Sequence, residues 1–142
     1  MEKIVSLKEL KIDYVVEQFK DFLNEIKVDD FNIKEIVRDY PARKARYSLA
    51  LARTKAKLLW YKALQKKVYY EIYKEIRENA KSKLTEEMIK SMIYTDDRYM
   101  EITKKVIELE EKVGILEACK QAFDDLGRMI YLIFDKEEIN SL

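Results

Sequence analysis

Histidine is missing from this chain altogether, cysteine and proline occur once each (Cys119, Pro41), and glycine occurs twice (Gly114, Gly127). Without histidine, and with a single thiol, neither a Cys/His zinc site nor an intramolecular disulfide can be assembled, and a reducing compartment is expected. So few turn residues leave a sheet of many short strands without its hairpins, which makes helices the remaining architecture. No run of about 18 uncharged apolar residues could span a bilayer, and the first residues do not read as a secretory leader. The expectation is a cytoplasmic protein with no membrane partner.

Catalytic motifs are missing as well. The sequence contains no G-x-x-x-x-G-K-S/T or G-x-G-x-x-G loop to cradle phosphates and no G-x-S-x-G nucleophile elbow. The acidic pairs Asp96-Asp97 and Asp124-Asp125 are adjacent, so on a helix they point about 100° apart and read as caps or surface charges rather than one metal site. Cys119 sits in an apolar stretch with no histidine to activate it, and reads as a small core residue. No enzymatic activity and no cofactor are expected.

What the chain does have is 142 residues that are 48 % apolar, enough for one packed domain. Ser6-Leu7-Lys8-Glu9 has the form of a capping box and predicts a first helix from Leu7 to about Ile26. Asn32, with Glu35 three residues on, predicts a short second helix that stops before Pro41. From Ala42 to about Ala80 nothing breaks a helix. Thr85 with Glu86 and Glu87 predicts a short connecting helix, and Thr95-Asp96-Asp97 opens a second long one reaching about Phe134. Tyr99, Ile102, Val106, Leu109, Val113 and Leu116 step by three and four, the heptad seam of a coiled coil, and Leu126, Ile130 and Ile133 continue it. The expected fold is all-α: a single helical domain over 1–142, with N-terminal helices in 1–40, an elongated antiparallel hairpin of two long helices in 41–135, and a tail over 136–142. Such a hairpin has much surface for its core, and its leftover apolar residues predict a homo-oligomer. Gly114 and Gly127 fall inside a helix, where either a close neighbour or a local bend would explain them.

Charge is distributed unevenly. Between Tyr40 and Tyr70 stand Arg43, Lys44, Arg46, Arg53, Lys55, Lys57, Lys62, Lys66 and Lys67, with no Asp or Glu, while the rest of the chain carries a net of −8. At about 100° per residue, Leu49, Ala52, Ala56, Leu59, Trp60 and Ala63 form one stripe, read as core, with the basic residues along its two flanks. A wholly basic helix segment is the electrostatic footprint of a polyanion-binding face. Tyr47, Trp60, Tyr61, Tyr69 and Tyr70 are interleaved with it, and Trp60, Tyr61 and Tyr69 are candidates for base stacking. The competing reading is that these cations pair with Glu108, Glu110, Glu111, Asp124 and Asp125 on neighbouring helices, leaving a structural or adaptor coiled-coil protein with no nucleic-acid role.

In the segment Lys55-Ala56-Lys57-Leu58-Leu59-Trp60-Tyr61, and then in Glu87-Met88-Ile89-Lys90, Asp97 with Val106, and Leu116-Glu117-Ala118-Cys119 with Arg128 and Ile130, the chain resembles the UvsY family of recombination mediators of T-even-like phages. The resemblance covers roughly residues 45 to 134; Lys57 stands where the family can have arginine, and Trp60 replaces a tyrosine. It implies a homo-oligomeric ring that binds single-stranded DNA, helps displace the single-stranded DNA-binding protein and promotes loading of a RecA-like recombinase. Lys55 and Lys57 are the DNA contacts it implies, and the cytoplasm of the bacterial host is the location it implies. A mediator works by differential affinity for protein–DNA states and needs no chemistry of its own.

Overall fold

The computed structural model describes Lys27 and residues 32–141; the helix expected over Leu7–Ile26 and its capping box lie outside the described residues. Three helices make up the described chain: α1 (Ile33–Asn79), α2 (Glu86–Tyr94) and α3 (Asp97–Ser141). The fold is all-helical, and no described helix is long and apolar enough to cross a membrane.

The start and stop signals operate largely as the sequence suggests. The Thr85 hydroxyl accepts from the Met88 amide at 3.2 Å and starts α2. At the next junction Thr95 closes α2 by bonding back to the Ser91 carbonyl, while Asp96 opens α3: its carbonyl accepts from the Met100 amide and its carboxylate from the Arg98 amide. Two boundaries differ from expectation. α3 continues to Ser141 rather than ending near Phe134, so the backbone of 136–141 is helical and not a tail. More consequentially, there is no separate short helix before Pro41, because α1 runs through the proline. Proline removes one helical hydrogen bond, at a cost of about 3 kcal/mol in a helix interior. Here the turn before the proline is anchored: Ile36 is buried, and Tyr40 donates its hydroxyl to the Phe123 carbonyl at 2.7 Å.

The residues group into two compact units, each using parts of α1 and α3. In the first, Lys55–Glu111, Ile72 of α1 and Ile89 and Ile93 of α2 form a fully buried core, with Val68, Tyr69, Tyr73, Ile76, Leu84 and Tyr99 around it. We call it the Ile89 unit. Arg98 fastens this unit with a two-pronged grip on Glu75 at 3.0 and 2.8 Å and a further bond to Asp96 at 3.0 Å, which holds both carboxyls below their ordinary values. Arg77 and the Tyr73 hydroxyl both bond to Glu86 at the start of α2.

In the second, the Phe123 unit (residues 32–54 with 112–141), Ile36 packs among Cys119, Phe123, Leu126 and Ile130, with Tyr40 and Tyr47 tilted against the Phe123 ring. Cys119 is buried here as a small core residue. Gly127 is explained by close approach, since a Cβ there would lie 2.9 Å from Tyr40 Cζ and closer still to its hydroxyl, whereas nothing lies within 4 Å of a Cβ at Gly114.

The heptad seam of α3 is buried or half-buried as expected, from Tyr99 to Ile133. The stripe expected as core on α1 is not. Leu49, Ala52, Ala56, Leu59, Trp60 and Ala63 are all exposed, Leu59 by 69 %. The protected positions are Tyr47, Leu51, Thr54, Leu58, Tyr61, Gln65, Val68 and Ile72, a second series of alternating three- and four-residue steps about 180° around the helix. Side-chain size decides between the two. The expected stripe is half alanine, while the observed one offers Leu, Tyr, Val and Ile, and burial stabilises at about 25 cal/mol per Å² of apolar area. Its two polar members are satisfied: Thr54 donates to the Ala50 carbonyl at 2.7 Å, and Gln65 to the Thr103 hydroxyl at 2.9 Å.

Candidate nucleic-acid interface

Residues that flank one stripe of a helix also flank the opposite one, so turning α1 over leaves its basic residues lateral while exposing the apolar face between them. In the Ile89 unit the helical repeat places Lys55, Lys62 and Lys66 along one flank and Lys57 along the other, with Ala56, Leu59, Trp60, Ala63, Lys67 and Tyr70 on the outer face. All ten side chains are exposed. The outward surface is therefore basic at its edges and carries large rings and aliphatic groups along its middle.

The five lysines are not equally committed. Lys62 pairs with Glu110 of α3 at 3.3 Å, and Lys67 makes a long contact of 3.9 Å with Glu71 one turn on. Both pairs are about half exposed or more, and such pairs contribute only about 0–1 kcal/mol. Lys57 and Lys66 have no ion-pair partner among the described residues. Two lysines nine positions apart on an acid-free helix face, neither met by a carboxylate among the described residues, leave that face positively charged.

The basic residues of the Phe123 unit are placed differently. Lys44 pairs with Asp124 at 2.9 Å, so that the lysine pKa is raised and the aspartate pKa lowered, chiefly through their shared hydrogen bond. Arg43 lies 3.7 Å from Asp39, and the Arg46 guanidinium sits over the Tyr47 ring at 5.2 Å. Arg53 is exposed and has no ion-pair partner among the described residues. Thus two of the acids named by the competing reading, Asp124 and Glu110, do pair with cations of the basic run, one in each unit.

The aromatic candidates separate by exposure. Trp60 is open to solvent by 60 %, with Tyr61 set edge-on to it at 4.9 Å and 88°. Tyr61 and Tyr69 are half-buried, and Tyr69 belongs to a cluster with Tyr94 and Tyr99 at centroid distances of 6.3 and 6.1 Å. Tyr70, 66 % exposed and beside Lys66 and Lys67, is a further stacking candidate that the sequence reading of Trp60, Tyr61 and Tyr69 did not include. Periodicity could have found it, since it continues the outer stripe seven residues after Ala63.

No family model, no curated protein and no solved structure matches this chain.

Proposed function

We propose that this protein is a non-enzymatic recombination mediator: a homo-oligomer that binds single-stranded DNA and promotes loading of a RecA-like recombinase onto strands covered by single-stranded DNA-binding protein. The observation that carries the reading is the acid-free basic run on α1 with Lys55, Lys57, Lys66 and Lys67 exposed beside open aromatic rings. Cations along a helix suit a phosphate backbone, and exposed rings suit bases that are not already stacked in a duplex. The order of short motifs that resembles the UvsY family's gives the mediator role its particular form. In this reading the helical hairpin expected from the sequence assembles as a ring, and the exposed Leu49 and Leu59 supply apolar surface for neighbouring copies to cover.

The test is fluorescence anisotropy of a labelled oligothymidine titrated with the protein over a range of salt concentrations. Tight binding that weakens steeply with salt is expected, together with a marked loss in a Lys55→Gln, Lys57→Gln double variant of unchanged helicity and oligomer size. No binding at low salt would rule the reading out.

A second reading, a structural coiled-coil protein whose basic residues serve its own assembly, is favoured by the Lys44–Asp124 and Lys62–Glu110 pairs. It predicts the opposite outcome: the double variant changes oligomer size in sedimentation, and oligothymidine is ignored throughout.

A further inference from the structure

The outer face of α1 in the Ile89 unit carries one arrangement twice. Trp60 and Tyr70 each leave well over half of their surface to solvent, and each is met edge-on by the half-buried ring next to it in sequence. Tyr61 stands 4.9 Å from Trp60 at 88°, and Tyr69 stands 5.5 Å from Tyr70 at 83°. The inner ring of the second pair is itself held, because Tyr69 packs on the Ile72, Ile89 and Ile93 core and against Tyr94 and Tyr99. A perpendicular neighbour of this kind fixes where an exposed ring can sit while leaving π-surface open.

Lysines accompany both pairs. Lys57 lies one turn before Trp60; Lys66 and Lys67 lie one turn before Tyr70, and Lys74 one turn after it, spacings that make them neighbours on the helix surface. The contacts of Lys67 with Glu71 and of Lys74 with Glu78, both 3.9 Å and solvent-exposed, are too weak to withhold these cations from a phosphate. Ten residues of helix separate the two exposed rings by about 15 Å along its axis. That is a span an extended strand of a few nucleotides can cross.

We infer that Trp60/Tyr61 and Tyr69/Tyr70 are two braced stacking platforms that hold two unpaired bases of the same strand, with the lysines around them taking the intervening phosphates. The inference rests on the DNA-binding reading and makes its preference for single strands specific, naming the two ring pairs and the spacing between them. Phosphate contacts occur on any nucleic acid, but only an unpaired base has a face to offer a ring, since in a duplex those faces are covered by neighbouring base pairs.

The experiment compares binding of a labelled oligothymidine and of an equally long strand of abasic residues, using the whole protein and its Tyr70→Leu, Tyr70→Phe and Trp60→Leu variants. Leucine is a good helix former at these exposed positions and has no π-face. Each leucine variant should bind oligothymidine at least about five-fold more weakly, the lower end for loss of one base stack, while its affinity for the abasic strand and its salt slope stay unchanged. Tyr70→Phe should bind as the unsubstituted protein does, because the ring and not the hydroxyl is used. Emission from Trp60, the single tryptophan, should be quenched by oligothymidine and not by the abasic strand. Wild-type affinity of Tyr70→Leu for oligothymidine, or an equal loss on both strands, would overturn the platform at Tyr70. If the unsubstituted protein binds both strands equally, DNA binding stands and the platforms fall; if it binds neither, the DNA-binding reading itself falls.

Discussion

The Ile89 unit and the Phe123 unit draw on the same basic run of α1, and they engage it to different degrees. In the Phe123 unit Lys44 meets Asp124, Arg43 meets Asp39 and Arg46 covers the Tyr47 ring, so its cations are largely engaged within the fold. In the Ile89 unit Lys57 and Lys66 have no ion-pair partner among the described residues, and the face they border is open. The cores differ in a matching way. The Phe123 unit is centred on one large ring that Tyr40 reaches by crossing directly over Gly127, whereas the Ile89 unit is built from three isoleucines ringed by tyrosines. A run of like charge is thus one feature in the sequence and two in the structure: each unit ties one lysine of the run to an α3 carboxylate, and the difference lies in the open face that Lys57 and Lys66 border.

Substitutions can break that contrast or sharpen it. The largest effect is expected in the core of the Phe123 unit, where Phe123→Ala removes a ring only 1 % exposed and should cost about 3–5 kcal/mol in denaturant unfolding. Gly127→Ala follows. Its methyl group collides with Tyr40 and strains the bond from Tyr40 to the Phe123 carbonyl, an overpacking expected to cost about 1–3 kcal/mol by the same measurement.

Neutralising Lys57 and Lys66 together should lower the slope of log affinity against log salt for oligothymidine by about 1.4, two phosphate contacts at about 0.7 each. Lys44→Gln should leave that slope unchanged, and an equal change from Lys44→Gln would erase the distinction between the units. Gly114→Ala meets nothing within 4 Å and should stabilise the protein by about 0.5–1 kcal/mol, the reverse of its counterpart at 127.

The smallest effect concerns pH. Arg98 depresses the pKa values of Glu75 and Asp96, so these carboxylates favour the folded state above their unfolded values near pH 4 and lose that contribution as pH falls through the folded ones. The thermal midpoint of the unsubstituted protein should therefore fall more steeply below about pH 4 than that of Arg98→Ala, and parallel curves would show that the Arg98 grip contributes nothing.

Much of this was legible in the sequence because it is local. Thr85 caps α2 and Asp96 opens α3 through bonds to residues two to four positions away, which need no tertiary partner. The α3 seam was legible for a related reason, since from Tyr99 to Leu116 one apolar series dominates and no rival series competes with it. Pro41 misled because its penalty is local while its compensation is not: Tyr40 is held by Phe123, 83 residues further along the chain.

By itself, then, the sequence determined that the chain is helical, where α2 and α3 begin, which residues of α3 turn inward, that Cys119 is a core residue, and that one segment of α1 is purely basic. Only the tertiary structure decided which way α1 faces. Two apolar series with the same spacing run along opposite sides of that helix, and helical periodicity alone cannot choose between them. The choice fell to the side with the larger side chains and with hydrogen-bond partners for Thr54 and Gln65, which turned Leu59, Trp60 and Tyr70 outward among the lysines.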